Sequence, residues 1–67
     1  MPTLRKNDTG LAVKILQKVL NCYKYGLKVD GIFEAKTEAA VKDFQKKYKL
    51  TVDGIVGSKT YNALADN

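Results

Sequence analysis

Val29-Asp30-Gly31-Ile32-Phe33-Glu34-Ala35-Lys36-Thr37 is echoed later in the chain by Val52-Asp53-Gly54-Ile55-Val56-Gly57-Ser58-Lys59-Thr60. Each copy runs into a helix-compatible segment, Glu38 to Val41 after the first and Tyr61 to Leu64 after the second. Two copies are too few for a solenoid, which needs more stacked neighbours to bury a continuous core. They read instead as two equivalent turns, each leading the chain into a helix. Asp30 and Asp53 each precede a glycine. A carboxylate there accepts N–H bonds from the following turn, and the glycine tolerates a positive φ. Ile32 with Phe33, and Ile55 with Val56, are expected to anchor the turns from beneath. Thr37 and Thr60 fall in the first helical turn, where a hydroxyl can bond back to the loop. Asp30, Gly31 and Thr37, like Asp53, Gly54 and Thr60, are therefore read as structural: each set fixes where its helix begins.

Outward from the repeat, the apolar periods predict three helices. The first spans about Thr9 to Tyr23, with Asp8 or Thr9 placed to cap it. Ala12, Val13, Leu16, Val19, Leu20 and Tyr23 share its broad apolar face, while Lys14, Lys18, Asn21 and Lys24 collect on the other. The second spans about Ala35 to Tyr48 and buries Thr37, Ala40, Val41, Phe44 and Tyr48. The third is short, about Ser58 to Ala65, with Ser58 as its cap. Tyr25-Gly26-Leu27 reads as the stop of the first helix, Gly26 suiting a left-handed conformation. Leu27 to Val29 and Leu50 to Val52 are expected to pair briefly. Gln17 and Gln45 sit beside core positions, placed to bond loop backbone. The fold class is all-α: a compact three-helix bundle with two equivalent Asp-Gly turns preceding helices 2 and 3, as one domain over residues 1–67.

Chemistry is bounded mainly by what the chain lacks. The 67 residues contain no histidine and one cysteine. That removes the usual general base, the usual zinc ligand and any Cys–His nucleophile. Cys22 has no partner for an intrachain disulfide and reads as a small hydrophobe. Ser58 is the only serine. No phosphate-cradling glycine loop or calcium-loop spacing occurs, so no cofactor or metal is expected. A glycosidase needs two carboxyls roughly 5–10 Å apart across one bond, but Asp30 and Asp53 occupy equivalent slots in separate turns. Catalysis is therefore not expected. No run is long enough to span a membrane, and Met1 to Asn7 lack the apolar stretch of a secretory signal. The formal charge of +5 suits anionic partners. A DNA-binding role is disfavoured, because the lysines spread over several faces and Arg5 is the single arginine.

A family resemblance runs through Leu4, Asp8-Thr9-Gly10, Val13, Leu16-Gln17 and Leu20. It continues through Val29 to Phe33, Lys36-Thr37, Ala40-Val41, Phe44-Gln45, Val52 to Gly57, Lys59-Thr60 and Ala63-Leu64. In order and spacing these resemble the peptidoglycan-binding domain family of the three-helix type, over nearly the whole chain. That family stands beside amidases, muramidases, peptidases and phage lysins, and in the propeptides of matrix metalloproteinases. The resemblance implies a non-catalytic module, monomeric, that targets an attached or partner hydrolase to peptidoglycan in the cell wall or outside the cell. It also keeps open a propeptide-like module whose partner is a protein. Glu34 stands where the family usually has glycine, so the first turn is expected to close differently from the second. Tyr61 stands where tryptophan is common, which preserves the packing.

Peptidoglycan offers N-acetyl sugars with apolar faces, and stem peptides carrying carboxylates. A site for it combines an aromatic platform, hydrogen bonds to amides and one or two cations. Tyr23 and Tyr48 project onto core faces. Tyr25 lies in a loop with Lys28, just before Asp30. The expected binding surface is therefore Tyr25, Lys28, Asp30 and Phe33, around the first turn.

Overall fold

The computed structural model describes residues 2–66; Met1 and Asn67, the ends of the expected domain, lie outside the described residues. Three helices form, α1 (Leu11–Cys22), α2 (Ala35–Lys47) and α3 (Ser58–Asp66). This is the all-α bundle that the apolar periods predict. α1 buries Val13, Leu16, Gln17 and Leu20, and α2 buries Thr37, Ala40, Val41, Phe44 and Gln45. Both sets follow the three-and-four spacing of one helical face. α3 adds Thr60 and Leu64.

One residue from each turn plugs the space between the helices: Phe33 and Val56 are both fully buried. Their neighbours face outward instead, with Ile32 40% exposed and Ile55 half-buried. The anchor beneath each turn is thus a single residue rather than the expected pair. Tyr23 meets Phe44 edge-on with ring centroids 5.2 Å apart, and its hydroxyl donates to the Leu64 carbonyl at 2.6 Å. That bond ties the end of α1 to α3.

The helix ends depart from expectation in three places. The N-cap of α1 is Gly10, and no side chain caps the helix. Asp8 is occupied elsewhere, its Oδ2 accepting the Arg5 N–H at 3.0 Å, and Thr9 bridges Ile32. α1 stops at Tyr23 and Lys24, before Gly26; Lys24 itself takes the left-handed conformation at φ 69°. The Lys24 and Tyr25 amides donate back to the Asn21 and Leu20 carbonyls. α2 ends in the same way, with Lys49 at φ 58° and the Lys49 and Leu50 amides returning to Lys46 and Gln45. Both are Schellman motifs with lysine where glycine is usual. Ser58 is the first residue of α3 rather than its cap, since the Gly57 carbonyl already accepts the Tyr61 N–H. Asn21, expected on the outer face, is half-buried and clasps Leu27 through both its side-chain oxygen and its amide nitrogen.

The brief extended pairing lies elsewhere than expected. The isolated antiparallel bridges join Leu4 to Val56 and Thr9 to Ile32, rather than residues 27–29 to residues 50–52. The N-terminal segment runs across both turns as a strap. Leu4 exchanges backbone bonds of 3.1 and 2.8 Å with Val56. Asn7 N–H then donates to Phe33, Phe33 N–H to Asp8, and Gly10 N–H to Gly31, all within 2.9 Å. Leu4 itself is buried in the core. The strap thus holds the two turns on one side of the bundle.

Candidate functional site

Each turn is built on a buried glutamine from the preceding helix. The Gln17 side-chain amide donates to Asp30 Oδ1 at 3.1 Å, to the Ile32 carbonyl at 3.0 Å and to Thr37 Oγ1 at 3.2 Å. Its oxygen accepts the Asp30 and Gly31 amides at 3.1 and 2.9 Å. Gln45 repeats the pattern: it donates to Asp53 Oδ1 at 3.0 Å, the Ile55 carbonyl at 3.0 Å and Thr60 Oγ1 at 3.2 Å. It accepts from the Asp53 and Gly54 amides at 3.2 and 3.0 Å. The threonine hydroxyls therefore bond to glutamine rather than to loop backbone.

Both aspartates close the turn as the sequence predicts, Oδ1 accepting the N–H of Ile32 at 3.0 Å and of Ile55 at 2.9 Å. Gly31 and Gly54 take the positive φ this requires, 74° and 72°. Glu34, extended at φ −111°, leaves the first turn closed like the second, contrary to expectation. The backbone bond from Ile32, then Gln17, holds the Asp30 carboxyl below its ordinary range; the bond from Ile55 does the same for Asp53, offsetting some desolvation.

Above the first node lies an open groove of about 570 Å³, lined by Gln17, Leu27, Lys28, Asp30, Ile32, Glu34, Ala35, Lys36 and Thr37. An adjoining hollow of about 560 Å³ is lined by Tyr25, Gly26, Leu27, Lys36, Ala39, Ala40 and Asp43. Leu27 and Lys36 border both, so Tyr25, Lys28 and Asp30 lie along one continuous surface. Phe33 does not join them: its ring is fully buried and serves the core. The Tyr25 hydroxyl donates to Asp43 Oδ2 at 2.8 Å, and burial, with that bond, pushes its pKa up to about 12. Leu27, Ile32 and Lys36 complete the surface. Lys36 was legible as part of the repeat, since Lys36-Thr37 matches Lys59-Thr60. Leu27 and Ile32 give no such signal, because sequence does not say which apolar loop residue turns outward.

The second node carries its own groove of about 290 Å³, lined by Gln45, Leu50, Thr51, Asp53, Ile55, Gly57, Ser58, Lys59 and Thr60. Asp30 and Asp53 thus border different grooves and flank no common bond. Among the described residues, no group of three or more His, Cys, Asp or Glu is placed to hold a metal ion. A further hollow of about 410 Å³ lies between α1 and α3, lined mainly by Ile15, Leu16, Val19, Tyr61, Leu64 and Ala65. No helix of the described residues is long and apolar enough to cross a membrane.

Comparison with known proteins agrees with this architecture. The peptidoglycan binding domain family matches residues 9–64. The chain is 40% identical over 45 residues to the carboxy-terminal processing protease CtpA of Bacillus subtilis, covering 67% of this chain and 10% of that protein. A peptidoglycan-binding protein from Clostridioides difficile, solved in complex with glutamine hydroxamate, superposes with a TM-score of 0.91 at 41% identity. The match covers 94% of this chain and 40% of that one. The endolysin of Burkholderia phage AP3 superposes with a TM-score of 0.93 at 39% identity, covering 96% of this chain and 25% of that one. The chain therefore spans less than half the length of each of these relatives.

Proposed function

We propose, given that this chain belongs to the peptidoglycan binding domain family, that it binds peptidoglycan without chemical turnover and holds a hydrolase on the wall. The observation that supports this most directly is the family match over residues 9–64, which includes both turns and the grooves above them. In this reading the contact surface is the groove at the first turn. Lys28 and Lys36 meet stem-peptide carboxylates, Asp30 meets amide N–H groups, and Leu27 and Ile32 supply the apolar floor. Tyr25 extends the surface toward the sugar. The hydrolase is a tethered or partner domain, and the site of action is the cell wall or the outside of the cell. Adhesion of this kind is weak for one module and gains from tethering, which raises the local concentration of the attached enzyme.

The test is retention on purified sacculi beside a duplex-DNA shift assay, each over a salt series. Sacculi should lose the domain far less steeply than DNA does as salt rises, and Lys36→Glu should reduce retention on sacculi. Phosphate-dominated binding collapses steeply with salt. A domain that shifts DNA at low salt and passes through sacculi is not a wall-binding module.

A further inference from the structure

We infer that the second turn is a second binding site, equivalent to the first, so that one domain engages two stem peptides of the wall polymer. The inference rests on the wall-binding reading above and goes beyond it in number of sites and in ligand chemistry.

The residues bordering the two grooves correspond one to one. Leu27 matches Leu50, Asp30 matches Asp53, and Lys36 matches Lys59, each pair in the same position relative to its turn. The nodes beneath are bonded alike, so the two grooves present these groups from the same scaffold. In each, the hydrogen bonds to the carboxylate fall on Oδ1, and Oδ2 takes none among the described residues. One oxygen of each aspartate builds the fold while the other remains available to a ligand. Lys36 and Lys59 are exposed. Ile32 and Ile55 turn hydrocarbon outward beside them, although their neighbours Phe33 and Val56 are buried.

These shared groups select a ligand class. A cation, a carboxylate and an aliphatic floor complement a short peptide bearing methyl side chains, amide N–H groups and a free carboxylate. No aromatic ring borders either groove, so sugar stacking is not the contact they have in common. The first groove is the larger and adds Lys28 and Glu34, where the second has Thr51 and Gly57. It should therefore bind the more tightly. A polymer that repeats its stem peptide fits a duplicated site, because the second engagement is intramolecular.

The experiment is a backbone-amide titration of the whole chain with a muropeptide carrying one stem peptide, beside sacculus affinity. Two sets of shifts should appear, around residues 27–37 and around residues 50–60, with a stoichiometry of two. Lys59→Glu should abolish the second set and leave muropeptide affinity at the first turn intact. It should lower sacculus affinity by about 10²-fold, the gain expected from a linked second site. Lys18→Glu, an equal change of charge on α1 away from both grooves, should do neither. Shifts at the first turn alone, with a stoichiometry of one, overturn the second site and leave the wall-binding reading standing. Equal shifts from a sugar chain lacking peptide overturn the ligand class. Absence of shifts together with loss of sacculus retention overturns both readings.

Discussion

Gly31 and Gly54 hold matching positions but meet different surroundings. A Cβ on Gly31 would stand 3.1 Å from the Gly10 carbonyl oxygen, whereas one on Gly54 would meet the Glu38 and Lys42 side chains at 3.1 Å. Long side chains swing aside more easily than backbone that is itself hydrogen-bonded to Gly31. Each alanine also carries the left-handed penalty of about 1–2 kcal/mol. Gly31→Ala should therefore destabilise more than Gly54→Ala, by about 1 kcal/mol of added crowding, in parallel urea melts. Gln17→Ala should cost more than Gly54→Ala, about 3 kcal/mol, since it strips partners from buried polar groups; the same melts compare them. At this scale the sequence was informative about chemistry and weak about direction. The Asp-Gly pairs announced their turns, and the glutamines stood where loop backbone was in reach. Phe33 was read both as an anchor beneath its turn and as a ligand contact, because two adjacent apolar residues in a turn carry no period. That is why one of the four expected ligand contacts proved to be core.

The helices themselves were readable because burial imposes their period, but their ends were decided by partners in space. Asp8 and Thr9 are good capping residues that the strap engages first. Lys24 and Lys49 occupy left-handed C-terminal positions that cost a residue with a Cβ about 1 kcal/mol. Lys24→Gly and Lys49→Gly should each raise stability by about 0.5–1 kcal/mol, read as an upward shift in thermal midpoint. The two turns predict a common response to acid. Asp30 and Asp53 have folded pKa values below their ordinary ones. Their contribution is complete above the unfolded carboxylate pKa of about 3.9 and is lost as pH falls through the lowered folded values. The thermal midpoint should fall on acidification below about pH 4, and less so in the Asp30→Asn, Asp53→Asn double variant. Asparagine keeps an oxygen for the Ile N–H but does not titrate.

For the molecule as a whole, the strap was the part hidden in the sequence. Residues 4–10 alternate in no regular way, and their pairing exists only once both turns are in place. The family match begins at residue 9, yet Leu4 is core. A chain starting at Thr9 should lose at least the burial of one leucine, about 2–5 kcal/mol. That is a large share of the stability of so small a domain; far-ultraviolet circular dichroism during urea titration would register it. The duplicated turn, by contrast, was legible at once, and with it the bundle. The second groove was not, because equivalence of surface follows only when equivalence of bonding is seen. The strap also sets the order in which the fold can finish. Leu4 leaves the ribosome well before its partner Val56, which lies in the second turn. α1 and α2 can therefore form and meet before the second turn has been made, but the bundle closes only once Val56 has emerged.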